Sequence, residues 1–322
     1  MKFSILKNKK YGFIFSGALV ALSALFLILP GFRLQMGIDF VGGTEYLLSF
    51  EESEKVPSSD EIKNIYSETF KEIEKSPKST FSSNGHEVSV RSHTLSHEEQ
   101  IQILETFEKN NFLATVEGVS TVGSSLGDYF KIQAFWTILA AISMIILYLA
   151  WAFRKVPAGI SSFKFGLAAI IALLHDVFIT TGVFAFLGAF ISGLEVDTMY
   201  VTALLTVLGF SVHDTIVVFD RLRENLIGKK ISAKVIEKIA ENSIWQTMGR
   251  SLHTSISTLF VLGAVLILGA PSLFAFIFAL AFGILIGTYS SIFLATPILI
   301  GWIKKDLEAN QENPEISKNS KK

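Results

Sequence analysis

Residues 198–219 read TMYVTALLTVLGFSVHDTIVVF. The run matches the roughly 20 residues that a helix needs to cross the hydrocarbon core of a bilayer. It is apolar almost throughout, yet His213 and Asp214 stand in its inner-leaflet half. A charge at the bilayer centre costs about 2.5–3.5 kcal/mol on insertion scales. A spanning helix that keeps such a pair needs a partner for it, a proton for it or water beside it.

The rest of the chain sets the class. Half of the 322 residues are hydrophobic and the mean hydropathy is +0.47, too high for an ordinary soluble domain. Spanning segments are predicted at 11–30, 132–153, 163–191, 198–219, 252–270 and 272–303. The first follows Lys7, Lys9 and Lys10 but is longer than a cleaved signal's apolar region, and no small-residue cleavage site follows, so it reads as an uncleaved anchor. The net charge of −1 gives no basic bias toward nucleic acid. The chain has no cysteine, which removes thiolate chemistry and Cys-held metals. The six histidines match no metal spacing, and no cofactor-binding motif is read. No nucleophile–base pair is read either, so the chain is not expected to be an enzyme.

Lysine and arginine set the orientation. They cluster in 1–10, in the segment with Arg154, Lys155 and Lys164, in the loop 220–251 with Arg221, Arg223, Lys229, Lys230, Lys234, Lys238 and Arg250, and in the tail 304–322. The short connections GAFISGLEVD and LGAPS carry none. By the positive-inside rule both termini are cytoplasmic and the long segment 31–131 is external. The tail is expected to be disordered.

The segment 31–131 has soluble composition and its own pattern. GIDFVGGTEYLLSF puts a glycine turn at Gly42–Gly43 before a strand. A helix follows, with Ser59 or Asp60 as cap and Ile62, Ile65, Tyr66, Phe70 and Ile73 on its face. HEVSVRS alternates as a strand, and SHEEQIQILETFEKN opens with a Ser96/Glu99 capping box and repeats Ile101, Leu104 and Phe107. FLATVEGVSTV is a last strand, and a weak one lies near 79–82. The order β-α-β-β-α-β predicts a ferredoxin-like α/β sandwich. His86, His93 and His97 fall at strand and cap positions and read as structural or surface groups.

Three spans carry polar groups. His175 and Asp176 lie in ALLHDVFITTG, Ser211 and Thr215 flank His213–Asp214, and Thr247, Arg250, Ser251, Thr254, Ser255 and Thr258 recur at intervals of three and four. An Asp held between desolvation, which favours the acid, and a nearby cation, which favours the carboxylate, exchanges protons near neutral pH. Pairing that merely pins helices together is the plainer reading. Gly283, Gly287 and Ser291 form a small-residue ridge for helix packing.

GIDFVGGTEYLLSF, ALLHDV, LGFSVHDTIVVFDRLREN, QTMGRSLHTSISTL and GILIGTYSSIFLATP, in that order, resemble the SecD/SecF family of bacterial protein-translocase subunits, within the resistance-nodulation-division superfamily. The resemblance covers most of 11–303. It implies an α-helical membrane protein of six spans, one half of a resistance-nodulation-division unit, with an external ferredoxin-like domain between spans one and two. It implies a bacterial inner-membrane location, SecD and the SecYEG channel as partners, a translocating polypeptide, and use of the proton motive force in late export. It carries proton passage onto Asp214 and Arg250, and with less detail onto Asp176. His213 stands where the family commonly has Asn, His253 where it has a later Asn, and VGSS at Gly123–Ser124 where a Pro is expected. His213 adds a second titrating group to that relay, lined by Thr215, Thr254, Ser255 and Thr258. Alternatives are an uncoupled translocon scaffold and an exporter of small molecules or lipids.

Overall fold

The structure is a computed structural model that describes residues 4–32, 34–50, 56–70, 78–81, 87–154, 156, 160–191, 194–229, 231–269 and 273–312. Lys2, Lys155 and Lys230 of the charge pattern, Ile73, His86 and the tail from 313 lie outside these residues.

Six helices are long and apolar enough to cross a membrane: α1 (Lys9–Ile28), α5 (Ser124–Ala152), α6 (Ser162–Gly188), α7 (Thr198–Leu226), α8 (Ala233–Leu268) and the composite α9 (Phe274–Ser290) and α10 (Thr296–Glu312). α6, α7 and α9–α10 form the buried centre, while α1, α5 and α8 leave most of their apolar surface outward. The central contact is α7 on α9. A Cβ on Gly283 would overlap Val207, and one on Gly287 would lie 3.0 Å from Ser211 Cβ, so the two backbones approach closely along one line. Gly287→Val is therefore expected to cost about 1–3 kcal/mol by forcing α7 off α9. A lowered thermal midpoint in detergent would register that cost, and an unchanged one would mean α7 has room to move.

Between α1 and α5 lies the α/β unit. A short helix α2 (Ile38–Val41) leads into β1 (Gly43–Ser49), α3 (Ser59–Phe70), β2 (Lys78–Phe81), β3 (Glu87–Ser92), α4 (His97–Lys109) and β4 (Thr115–Val122). All pairings are antiparallel in the order β2-β3-β1-β4, the ferredoxin-like arrangement. Gly42 has φ +79° and Gly43 φ +152°, and a Cβ on Gly43 would sit 2.5 Å from Ser92 O, so both positions demand glycine. Tyr46, Leu48, Ile62, Val88, Val90 and Ile103 pack the core of the unit.

Several expectations need correction. The cap of α3 is Ser58, one residue earlier than read: Ser58 Oγ accepts from Glu61 N at 3.3 Å while Glu61 Oε2 accepts from Ser58 N at 2.8 Å. α4 buries Ile103 and Phe107, leaving Ile101 47% exposed, because 103 and 107 are stacked at i, i+4 over the sheet. The predicted loop 220–251 is helical to Leu226 and again from Ala233, and the tail is helical to Glu312. Hydropathy marks only the lipid-matched part of a helix, and a polar continuation of the same helix is invisible to it. The early tail is also tied down, by Lys304 Nζ to Glu237 Oε1 at 2.8 Å and by Lys164 to Asp306.

Candidate functional site

Asp176 is fully buried on α6, at the level where α6, α7 and α9 meet. Its Oδ2 accepts from Ser211 Oγ of α7 at 2.5 Å and from Ser290 Oγ of α9 at 2.8 Å. Its Oδ1 lies 2.9 Å from His175 Nδ1. A buried carboxyl costs least when every lone pair has a donor, and this one is held on both oxygens. The Nε2 of His175 is buried without a hydrogen-bond partner.

Asp214 lies one turn beyond Ser211 on α7 and is 6% exposed. Thr288 Oγ1 of α9 donates to its Oδ2 at 3.2 Å, and Ser251 and Ser255 of α8 stand beside it. Ser255 Oγ is 2.6 Å from Thr288 Oγ1, and Thr288 Oγ1 also lies 2.9 Å from Ile284 O. Thr288 has a single hydroxyl hydrogen, so it serves either Asp214 or another acceptor, not both. Thr215 Oγ1 meets Ser291 Oγ at 3.0 Å, and Ser291 Oγ is 3.4 Å from Ser211 O. Hydroxyls from α7, α8 and α9 thus run between the two aspartates in an otherwise apolar bundle.

The backbone departs from regular helix at the same place. Ser291–Ala295 form a π turn between α9 and α10, and Thr296 Oγ1 donates to Ser291 O at 2.9 Å, satisfying a carbonyl the wider turn displaces. Such turns recur at functional positions in helices.

The other relay candidates fall elsewhere. His213 is on the outward face of α7, since neighbours on a helix point about 100° apart and Asp214 takes the inward one. Arg250 is on the outward face of α8, in an open groove of about 480 Å³ with Asp220, Arg221, Glu224 and Gln246. Among the described residues no ion pair joins Arg250 to Asp176 or Asp214. The hydroxyl stripe of α8 divides: Thr247, Ser251 and Ser255 are buried, Thr258 is half-buried and Thr254 is exposed. Sequence reading missed Thr288 and Ser290. The signal was TYSS at 288–291, four hydroxyl-bearing residues in the last apolar run. Among the described residues no three metal-ligating side chains converge.

A second polar cluster joins the α/β unit to α7. Asp39 Oδ2 accepts from Thr198 N at 3.0 Å and from the Thr198 hydroxyl, capping the first turn of α7. Gly37 N donates to Val196 O at 2.9 Å and Val196 N to Gln35 O at 2.7 Å. Arg91 of β3 pairs with Glu45 Oε1 of β1 at 3.0 Å and with Glu195 Oε2 at 3.5 Å. Burial pulls the Arg91 guanidinium down, but Glu45 and Glu195 outweigh it and hold it above its ordinary value.

The family model described as protein export membrane protein SecD/SecF, C-terminal, matches residues 102–305, and the SecD/SecF GG motif model matches 27–54. The chain is 38% identical to the protein translocase subunit SecF of Thermobaculum terrenum over 88% of this chain and 92% of that one. It is 33% identical to the SecF of Sebaldella termitidis over 100% of this chain and 97% of the relative. Among solved structures, SecDF from Thermus thermophilus, described as a translocon-associated membrane protein, aligns with TM-score 0.77 and 31% identity. That alignment covers 94% of this chain and 39% of the solved chain.

Proposed function

The chain belongs to the SecF family of protein translocase subunits, and from that premise we propose that it serves a Sec translocase as a proton-coupled membrane subunit. It sits in the bacterial inner membrane with both termini cytoplasmic and the α/β unit outside, works beside SecD and the SecYEG channel, and acts on a polypeptide in late export. The observation that carries the coupling is the pair of buried aspartates set among hydroxyls from three helices. Buried ionisable groups in a membrane bundle mark ion or proton paths by default.

The two aspartates divide the work. Asp176 has two hydroxyl donors on Oδ2 and the His175 ring against Oδ1, and it holds α6, α7 and α9 in register. Asp214 has one long bond from a hydroxyl with other acceptors in reach, which suits a group that takes up and releases a proton. On protonation Thr288 turns to Ile284 O or Ser255, and the α7–α8–α9 contact changes its hydrogen-bond set. Arg250, in the groove below, keeps its charge, favours the ionised form of Asp214 and so helps the proton leave inward, and His213 extends the path on the outer face of α7. α7 then transmits the change to Thr198, Asp39 and the α/β unit.

A scaffold reading has one observation in its favour: the complete bonding of Asp176. Precursor release from vesicles bearing this chain with SecD separates the two. Faster release under a proton gradient than without one is the expected result, and equal rates would leave the scaffold reading standing.

A further inference from the structure

A cavity of about 540 Å³ opens at the end of the bundle that carries the N-terminus and α10. Lys7 precedes α1 and Lys9 opens it, Lys234 and Lys238 come from the first turns of α8, and Lys304 comes from α10. The two glutamates in the wall are already committed. Glu241 accepts from Ile5 N at 2.9 Å and Leu6 N at 3.0 Å, fixing the chain ahead of α1. Glu237 pairs with Lys304 at 2.8 Å. Lys7, Lys9, Lys234 and Lys238 have no ion-pair partner among the described residues, so the cavity carries uncompensated positive charge.

Three further features define what fits. The α8 N-terminus, capped by Ser232, adds the positive end of a 36-residue helix at the same place. The cavity lies where the apolar run of α1 begins and that of α9–α10 gives way to Lys304, a polar border at the ends of membrane-length helices that suits lipid headgroups. Apolar surface begins close by: Val235 beside the lysines is exposed, and so are Tyr11, Ile14 and Phe15, within the next two turns of α1 on the side away from Lys9. A soluble anion has no use for that surface, whereas a lipid has both ends to satisfy. Basic pockets between spanning helices on the cytoplasmic side are suited to phosphate headgroups.

We propose that this cavity binds an anionic phospholipid, its headgroup phosphates held by Lys7, Lys9, Lys234 and Lys238 and its chains laid on the apolar face of α1. Free lysine pairs from two separate segments favour a headgroup with two phosphates, and diphosphatidylglycerol is the probe.

The test is native mass spectrometry of the full chain released from mixed phosphatidylcholine–diphosphatidylglycerol micelles. Wild type is expected to retain diphosphatidylglycerol selectively. The Lys7→Gln/Lys234→Gln/Lys238→Gln variant is expected to retain it about tenfold less, while Lys63→Gln/Lys109→Gln on the α/β unit changes nothing. All three substituted lysines are exposed, so the thermal midpoint should hold. If it does not, the salt dependence of retention by wild type takes over: loss at high salt supports the site and indifference overturns it. Equal retention by the triple variant, or equal retention of phosphatidylcholine, overturns the proposal. Displacement of the lipid by inorganic pyrophosphate, with pyrophosphate bound in its place, assigns the cavity to a soluble phosphoanion and overturns it as well.

Discussion

Asp214→Asn, in vesicles that also carry SecD, is expected to reduce precursor release under a proton gradient to the rate seen without one. The substitution is nearly isosteric. An Asn oxygen still accepts from Thr288 Oγ1, and the close contacts of Gly283 and Gly287 with α7 are untouched. Only the ability to gain and lose a proton goes. One charge crossing about 100 mV is worth about 2.3 kcal/mol, roughly a fiftyfold bias on a conformational step. That is the size of the effect at stake for each proton. Asp176→Asn should behave differently. Its amide oxygen can take the two hydroxyls at the Oδ2 position, but its amide nitrogen then faces His175 Nδ1 and drives the ring hydrogen onto Nε2, which is buried without a partner, so the bundle itself should lose stability. A lowered thermal midpoint for Asp176→Asn with an unchanged one for Asp214→Asn separates the pinning carboxyl from the exchanging one. Gradient dependence surviving in Asp214→Asn would sink the coupling role and leave a structural pair.

How much of this was legible depends on the scale of the signal. The six spans announce themselves because apolar length is a one-dimensional property. The α/β unit is legible because the Ser96–Glu99 box opens one helix and HEVSVRS alternates, whereas the Ser58–Glu61 box of the other helix went unread. The aspartates stood out because lipid penalises them. Thr288 and Ser290 did not, because a hydroxyl in a spanning helix usually bonds its own backbone at i−4 and carries no visible penalty. The α8 stripe, whose spacing of three and four puts most of it on one face, divides in the structure. Positions 247, 251 and 255 share a line at i, i+4, but 250 and 254 lie a quarter-turn away, which carries Arg250 and Thr254 outward. The link between Arg91 and Glu195 joins residues 104 positions apart, and no local pattern marks it.

That link carries the other large effect. Arg91→Met is expected to destabilise the junction by about 3–5 kcal/mol, because it removes the cation that two poorly hydrated carboxylates share. Glu195 is 3% exposed, and Glu45 keeps the Ser89 hydroxyl at 2.5 Å. Removing Glu195 as well, in Arg91→Met/Glu195→Leu, should return part of the loss, since an apolar pair leaves less charge unpaired. The variant also changes the pH response. Burial raises the Asp197 carboxyl above its ordinary value, against the Tyr200 N–H bond and the Arg91 charge that lower it. A raised acid loses stability as pH climbs from its ordinary value through its folded one, and without Arg91 that window extends upward. The single variant should therefore lose more stability than wild type on alkalinisation from weakly acidic buffer. The functional consequence follows from position. Thr198 caps onto Asp39, and Asp214 lies sixteen residues further along α7, about 24 Å at 1.5 Å per residue. A rigid helix of that length conveys a shift at Asp214 only if its far end is fixed to the α/β unit. Arg91→Met should then retain SecD binding yet lose gradient-dependent release. A double-mutant cycle with additive stabilities, or full gradient dependence in the single variant, would place the coupling route elsewhere.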